Sequence, residues 1–151
     1  MLRVLELTKR AALIVAATIA FAAAGHAADN IHKLALQISD NDKVKMDTVL
    51  NVAANVSRYY SGKGEEVEIE IVAFNAGLHM LRSDTSPVKK RLPSFAQSMP
   101  NVKFQACGNT MEGMTKKEGK KPPLMAGVNV VPAGAVRLIE LNEKGWTIIR
   151  P

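Results

Sequence analysis

The sequence predicts an α/β fold, a three-layer α/β/α sandwich whose mostly parallel sheet has about five strands. Short apolar runs rich in β-branched residues alternate with segments of helical periodicity from residue 31 to the C-terminus. One of these runs ends in the wholly apolar Ile71–Phe74, which is typical of a strand covered on both faces. Because parallel strands end at one edge of such a sheet, we expect the residues that follow the strands to lie close together.

The first half of the domain is predicted as strand, helix, strand. His32–Ser39 alternates in the manner of a strand, and turn and N-cap residues follow it up to Asp42. Val44–Tyr60 places its apolar side chains at helical spacing, and Val67–Phe74 is the second predicted strand. Its alternate glutamates are expected to face outward, and they are Glu66, Glu68 and Glu70.

The second half begins with residues 75–81, which are predicted as a loop able to enter a short helical turn. Ser86–Pro87 is predicted to open the next helix, with serine as the N-cap and proline at the first helical position. Pro93 is expected to break or kink that helix. The remaining predicted elements are a strand, a helix, a strand, a helix and a last strand: Val102–Ala106, Asn109 to about Lys116, Val128–Val131, a helix that Pro132-Ala133-Gly134 leads into and that ends near Glu143, and Trp146–Ile149.

Residues 1–27 have the composition of a secretory signal peptide. Three basic residues come first, the apolar run Ala11–Ala24 follows, and small residues precede a predicted cleavage after Ala27. The run is shorter than the roughly 20 residues of a membrane-spanning helix, so we expect no stable membrane insertion after cleavage. An uncleaved N-terminal anchor is the alternative. The mature protein is therefore expected in the periplasm, with residues 28–151 as a single domain.

Charge and motifs narrow the class of function. The formal net charge is +6, and four lysines cluster between residues 116 and 121. We interpret that cluster as a solvated surface, because export argues against a nucleic-acid partner. The sequence contains neither a GxGxxG nor a GxxxxGK phosphate-binding loop, and neither a CxxC nor an HxxxH ligand pair. No cofactor is therefore expected.

Cys107 is the only cysteine in the chain, and it ends a strand-like run just before Gly108-Asn109-Thr110. A thiol at such a strand-to-helix junction lies under the positive end of the helix dipole, where unpaired backbone N–H groups favour the thiolate. Cys107 is therefore predicted as a nucleophile that attacks sulfur, carries sulfane sulfur or binds a soft metal. A cysteine–histidine hydrolase is disfavoured, because no acid–base partner lies beside Cys107 in the sequence.

Two other interpretations of Cys107 stay open. Free cysteine is often a small buried hydrophobe, and the protein would then be a non-catalytic oligomeric binding or scaffold protein with a packed thiol. Met111 and Met114 lie three residues apart on one helix face and could form a copper(I) site with Cys107. Methionine is also a common core residue, and packing is the simpler interpretation of Met111 and Met114.

Five segments of the chain carry a resemblance in their order and spacing: Val72–Leu78, Ser86–Val88, Phe104–Thr110, Gly127–Gly134 and Glu143–Pro151. Together they resemble the DsrE/DsrF-like family of sulfur-relay (YchN-like) proteins over residues 31–151, and the last segment is similar to its exported branch. The resemblance implies an α/β/α fold with about five strands and assembly into trimers or hexamers. It also implies, as in some members, a cysteine that carries sulfane sulfur as a persulfide between partner proteins.

On this resemblance Cys107 is the nucleophile and the persulfide carrier. The backbone amides of Gly108 and Asn109 are expected to stabilise its thiolate, and Asn75 and His79 are expected as neighbours in the same pocket. The implied partners are further copies of the chain and a protein that offers an acceptor thiol. A second molecule is needed because the chain has no other cysteine to receive the sulfur.

Overall fold

Strands and helices alternate throughout residues 31–151, the part of the chain that the structure, a computed structural model, describes. These residues form one compact unit. The predicted signal peptide, residues 1–27, lies outside the described residues. In chain order the elements are β1 His32–Ile38, α1 Lys43–Ser61, β2 Val67–Ala73, a 3₁₀ segment Asn75–Leu81, α2 Leu92–Ser98, β3 Val102–Cys107, α3 Gly108–Glu118, β4 Val128–Val131, α4 Gly134–Glu143 and β5 Thr147–Ile149.

The five strands form one sheet in the order β4-β3-β2-β1-β5, and every pairing is parallel. The chain moves in one direction from β1 to β4 and then returns across the sheet to place β5 beside β1. Right-handed crossovers put helices on opposite faces when the direction of travel reverses, so α4 lies on the face opposite α1, α2 and α3. The predicted α/β fold is confirmed.

Two apolar cores lie on the two faces of this sheet. The larger core joins strand residues such as Leu36 and Ile71 to α1, the 3₁₀ segment, α2 and α3. The smaller core joins Ala35 and Val72 to α4, where Leu138 is one of the contacts. Neighbouring residues of one strand serve different cores because side chains alternate across a strand. The central strands are therefore buried on both sides, as the apolar end of β2 predicted.

The helix predicted to open at Ser86–Pro87 begins later, at Leu92. Ser86 is buried, and its hydroxyl donates to the Met80 carbonyl oxygen at 2.7 Å and accepts from the Val88 N–H at 3.2 Å. The serine thus fastens a run of turns to the 3₁₀ segment instead of capping a helix. Pro93 lies in the first turn of α2, where a missing N–H costs no hydrogen bond.

Glu70 departs from the expected outward glutamates of β2. It is buried, with 3% of its surface exposed, beneath α4. Two nitrogens of Arg137 donate to its carboxylate at 2.6 and 3.0 Å, so the buried charge is paired by a bidentate guanidinium. The alternation of β2 correctly predicted that the glutamates share one face of the sheet. That face is covered because the connection from β4 to β5 crosses back over the sheet and places α4 on it.

No helix within residues 31–151 is both long enough and apolar enough to cross a membrane.

Candidate functional site

Cys107 ends β3 and is at the same time the N-cap residue of α3. Its backbone is extended, with φ −72° and ψ 117°, so the chain changes from strand to helix at this residue. The thiol is free and only 5% of the residue is exposed. The junction predicted from the sequence is therefore present, one residue from the expected strand end.

A second helix begins beside the same thiol. The register of β3 with β4 pairs Cys107 with Val131, and the chain then turns at Pro132 so that α4 starts at Gly134. A Cβ added at Gly134 would lie 3.2 Å from the Cβ of Cys107 and 3.0 Å from that of Phe74. Because glycine has no side chain, the first backbone N–H of α4 can approach the sulfur. The thiol thus lies at the N-termini of two helices.

Hydrogen bonds decide the ionisation of Cys107. Burial raises the pKa of the thiol, whereas hydrogen bonding with the Thr110 hydroxyl and with the backbone N–H groups of Gly134, Thr110 and Asn109 lowers it. Their combined effect outweighs burial and leaves the pKa of Cys107 below its ordinary value. Donors that point at a charged form stabilise that form, so the site favours the thiolate, which is the nucleophilic form of cysteine.

Thr110 links the end of β2 to the thiol. The backbone N–H of Asn75 donates to the Thr110 hydroxyl oxygen at 3.0 Å, which leaves the hydroxyl proton for the sulfur of Cys107. Asn75 has φ +49°, in the left-handed region that asparagine tolerates better than most residues. This conformation turns the chain from β2 into the 3₁₀ segment and aims the N–H at Thr110.

The thiol opens into a cavity of about 580 Å³ at the carboxyl edge of the sheet. The two residues that follow β2, the last residue of β3, residues of α3 and the start of α4 line it, as expected where parallel strands end. The lining is mainly apolar and small, with two asparagines, a threonine and one lysine. It comprises Phe74, Asn75, Cys107, Asn109, Thr110, Gly113, Met114, Lys117, Ala133, Gly134 and Ala135.

The structure brings three of the predicted site residues together, Cys107, Asn109 and Asn75. Gly108 lies beside them as the first residue of α3. Gly108 serves packing, because a Cβ there would lie 3.1 Å from the carbonyl oxygens of Val131 and Pro132. The expected role of the Gly108 amide in stabilising the thiolate stays a prediction, and the backbone N–H of Asn109, expected with it, is among the groups that lower the pKa of Cys107.

His79 is not brought to the cavity. It lies half-buried in the 3₁₀ segment, and its Nδ1 is 2.7 Å from the Thr85 hydroxyl. The segment carries it away from the carboxyl edge of β3 although it follows β2 directly in sequence. His79 therefore lacks the placement of a base for Cys107.

Three residues of the site are not among those predicted from the sequence: Thr110, Gly134 and Lys117. Thr110 is at the third position of α3 and could have been found from the helix geometry that placed Cys107 at its start. Gly134 and the start of α4 required the strand order, because they are distant in sequence. Lys117 belongs to the lysine cluster of residues 116–121, which the sequence predicts as a solvated surface.

The methionines do not gather around the thiol. Met111 belongs to the larger core, whereas Met114 lines the cavity. The sulfur of Met114 lies 3.6 Å from Nη1 of Arg82, a cationic neighbour that disfavours a bound copper(I) ion. Residues 31–151 contain no group of three or more His, Cys, Asp or Glu side chains arranged to hold a metal ion.

Comparison with known proteins gives a relative but no activity. No protein-family model matches the chain, and no curated protein matches it. A solved structure of MTH1491, a protein of unknown function from Methanobacterium thermoautotrophicum, is 30% identical and superimposes with a TM-score of 0.62. The match covers 80% of this chain and 99% of the archaeal protein. The chain therefore belongs to the same family as this archaeal protein of unknown function.

Proposed function

We propose that this protein is an exported sulfur carrier, in which Cys107 accepts a sulfane sulfur as a persulfide and passes it to a partner thiol. The observation that carries the proposal is the thiol itself. It has a lowered pKa at the start of two helices, and it lines an open cavity. The resemblance to the DsrE/DsrF-like family supplies the cargo. No cofactor is needed for this chemistry.

The reaction is two exchanges at sulfur. In loading, the Cys107 thiolate attacks the terminal sulfur of a donor R–S–SH, a new S–S bond forms and the donor S–S bond breaks. The departing thiolate keeps the bonding electron pair and takes the proton, so the products are the Cys107 persulfide anion and R–SH. In unloading, an acceptor thiolate attacks the outer sulfur of the Cys107 persulfide and regenerates the Cys107 thiolate. No net oxidation occurs in either exchange.

The lining of the cavity supports sulfur exchange over acyl transfer. A cysteine hydrolase pairs its thiol with a histidine that takes and returns a proton. No histidine, aspartate or glutamate occurs among the described residues that line the cavity. Backbone amides and the Thr110 hydroxyl stabilise the thiolate without a base, which suits attack on sulfur, where the leaving thiolate needs little assistance.

The proposal also covers the partner, the oligomeric state and the location of the protein. With one cysteine per chain, the sulfur must leave to a second molecule, so we propose a partner protein with an accessible thiol. The resemblance supports a homo-oligomer, a trimer or hexamer. The basic start and apolar run within residues 1–27 support export to the periplasm.

Mass spectrometry of the intact protein tests the proposal. After treatment with inorganic polysulfide, the wild-type protein should gain the mass of one sulfur atom, and dithiothreitol should remove it. The matched Cys107→Ser variant should gain nothing. Absence of the reversible adduct from folded wild-type protein would refute the carrier function.

The competing function, a scaffold with a packed cysteine, draws on the 5% exposure of Cys107. Labelling of the native protein with iodoacetamide near neutral pH separates the two. A carrier should label rapidly, because the lowered pKa of its thiol increases the thiolate fraction and the cavity makes the sulfur reachable. Labelling that occurs only on unfolding would favour the scaffold.

A further inference from the structure

The cavity beside Cys107 continues along α3 as a groove. Thr110, Gly113, Met114 and Lys117 all line it, and their spacing of three or four residues places them on one face of the helix. The groove therefore leads from the thiol at the first turn of α3 to the last turn. Ten residues at 1.5 Å each give a span of about 15 Å from Cys107 to Lys117 along the helix axis.

Gly113 leaves this groove open at its middle. A glycine inside a helix costs roughly 0.5–1 kcal/mol relative to alanine, so it needs a local reason. Its backbone is not left-handed, and a Cβ added there would meet no atom of the described residues within 4 Å. Neither backbone conformation nor packing requires glycine at this position. Its consequence is an unobstructed groove between the thiol and Lys117.

Lys117 is the one charged side chain among the described residues that line the cavity. It makes no ion pair within residues 31–151. Because helical side chains lean toward the helix N-terminus, the Lys117 side chain is expected to cover the turn of Gly113 and Met114, on the Cys107 side of its own Cα. Lys116 is in the same turn and is also exposed, but it lines a different cavity, beside Met111 and Val130.

We infer that the groove binds an elongated anionic persulfide of low molecular weight, the size of a tripeptide. Its sulfane sulfur meets Cys107, its body lies over Gly113 and a carboxylate pairs with Lys117. An extended tripeptide spans roughly 10 Å, and the lysine side chain covers the rest of the distance. The inference rests on the proposed carrier function and names the class of its donor, with glutathione persulfide as the probe.

The transfer follows the exchange already written. The Cys107 thiolate attacks the outer sulfur of glutathione persulfide, and the S–S bond of the donor breaks. Glutathione leaves as a thiolate and takes the proton of the persulfide. Lys117 takes no part in the bond changes. It holds the donor, so its removal should raise the half-saturating donor concentration and leave the rate at saturation nearly unchanged.

The test compares Lys117→Gln with Lys116→Gln, two changes that remove the same charge from the same helical turn. The initial rate of Cys107 persulfide formation is followed by mass spectrometry over a range of glutathione persulfide concentrations. We expect Lys117→Gln to raise the half-saturating concentration about fivefold, as for loss of a solvent-accessible ion pair. Lys116→Gln should match the wild type. With the dimethyl ester of glutathione persulfide, which has no carboxylate, Lys117→Gln should not slow loading.

Gly113→Leu gives a second, independent arm. Leucine is a good helix former, so thermal unfolding should be no easier than in the wild type. Its side chain fills the groove, so loading from glutathione persulfide should fall sharply while inorganic polysulfide still loads Cys107.

Two results would overturn the inference. One is equal slowing by Lys117→Gln and Lys116→Gln, and the other is unchanged loading from glutathione persulfide in both Lys117→Gln and Gly113→Leu. Either result leaves the carrier function standing if inorganic polysulfide loads the wild type. If polysulfide also fails to load it, the carrier function fails as well.

Discussion

The two ends of the sheet use glycine for different physical reasons. At the carboxyl end a Cβ on Gly77 would overlap the backbone of Ile38, and one on Gly134 would crowd Phe74 and Cys107. At the amino end Gly119 ends α3 with φ +72°. A Cβ added there would meet no atom of the described residues within 4 Å. The carboxyl end thus needs the missing side chain, and the amino end needs the left-handed backbone. Close approach of chain segments is what builds the thiol site.

The volumes of the cavities at the two ends of the sheet do not identify which of them is the functional site. The cavity at the amino end has about 620 Å³ and the one at Cys107 about 580 Å³. Charges of both signs line the amino-end cavity, among them Arg58, Glu68 and Lys103. Near the thiol, Lys117 is the one charge in the described lining. The proposed donor site needs a cation beside a thiol, and the described lining of the amino-end cavity offers charges of both signs but no thiol.

Gly77→Ala should have the largest effect of the substitutions that compare the two ends. The new methyl group would overlap main-chain atoms of Ile38 that have no flexible alternative, so overpacking should cost about 1–3 kcal/mol or more. Gly119→Ala should cost about 1–2 kcal/mol, the penalty of a left-handed backbone. Urea unfolding of both variants measures the difference. A larger loss in Gly119→Ala would contradict the distinction between the ends.

Gly134→Ala should lower both stability and thiol reactivity. The methyl group would lie within 3.2 Å of Cys107 and Phe74, which should cost about 1–3 kcal/mol and move the N–H of residue 134 away from the sulfur. Loss of that donor raises the pKa of Cys107, so alkylation near neutral pH should slow. Gly119→Ala is the control, because it should lose stability while its alkylation profile stays unchanged. Equal alkylation profiles in Gly134→Ala and Gly119→Ala would show that the start of α4 does not affect the reactivity of the thiol.

Thr110→Val should raise the pKa of Cys107 by removing the hydroxyl that donates to the sulfur. The Asn75 N–H also loses its acceptor, at a cost of about 1 kcal/mol. The rate of alkylation followed against pH should therefore move to higher pH. Thr110→Ser keeps the hydroxyl and should restore the wild-type profile. Failure of serine to rescue would mean that packing, not hydrogen bonding, explains the valine variant.

Acid should lower the stability of the fold in a region away from the thiol, where the buried guanidinium of Arg82 pairs with two carboxylates. Nη1 of Arg82 lies 2.6 Å from Glu118, and Nη2 lies 2.8 Å from Asp84. These hydrogen bonds hold the pKa of both carboxyls below their ordinary values. A carboxyl with a lowered pKa stabilises the fold above its unfolded pKa of about 4 and loses that contribution as pH falls through its folded value.

Glu118→Gln should therefore make unfolding less dependent on pH on the acid side, the smallest of the expected effects. Unfolding midpoints measured from neutral pH downward give the slope. The alkylation profile of Cys107, which depends on a thiol ionising as pH rises, should be unchanged. A changed profile would show that the two regions are coupled.

Local periodicity predicted most of the fold, and its errors share one cause. The bounds of β1, α1 and β4 were correct to within about a residue or two, as expected where the pattern is strong. The prediction was wrong where a distant segment decides the outcome. Ser86 fastens turns to the 3₁₀ segment, and Glu70 is covered by α4 and paired with Arg137. Neither partner lies within one turn of the residue in sequence.

The alternation of strands and helices and the position of Cys107 at the junction of β3 and α3 follow from local sequence patterns. These are properties of neighbouring residues, and short-range sterics and hydrogen bonding are enough to establish them. The surroundings of the thiol depend instead on contacts between segments that are distant in sequence. The parallel register of β3 with β4 brought the start of α4 to the sulfur, and the 3₁₀ segment carried His79 away. Strand order sets these contacts, and strand order results from packing both faces of one sheet at once.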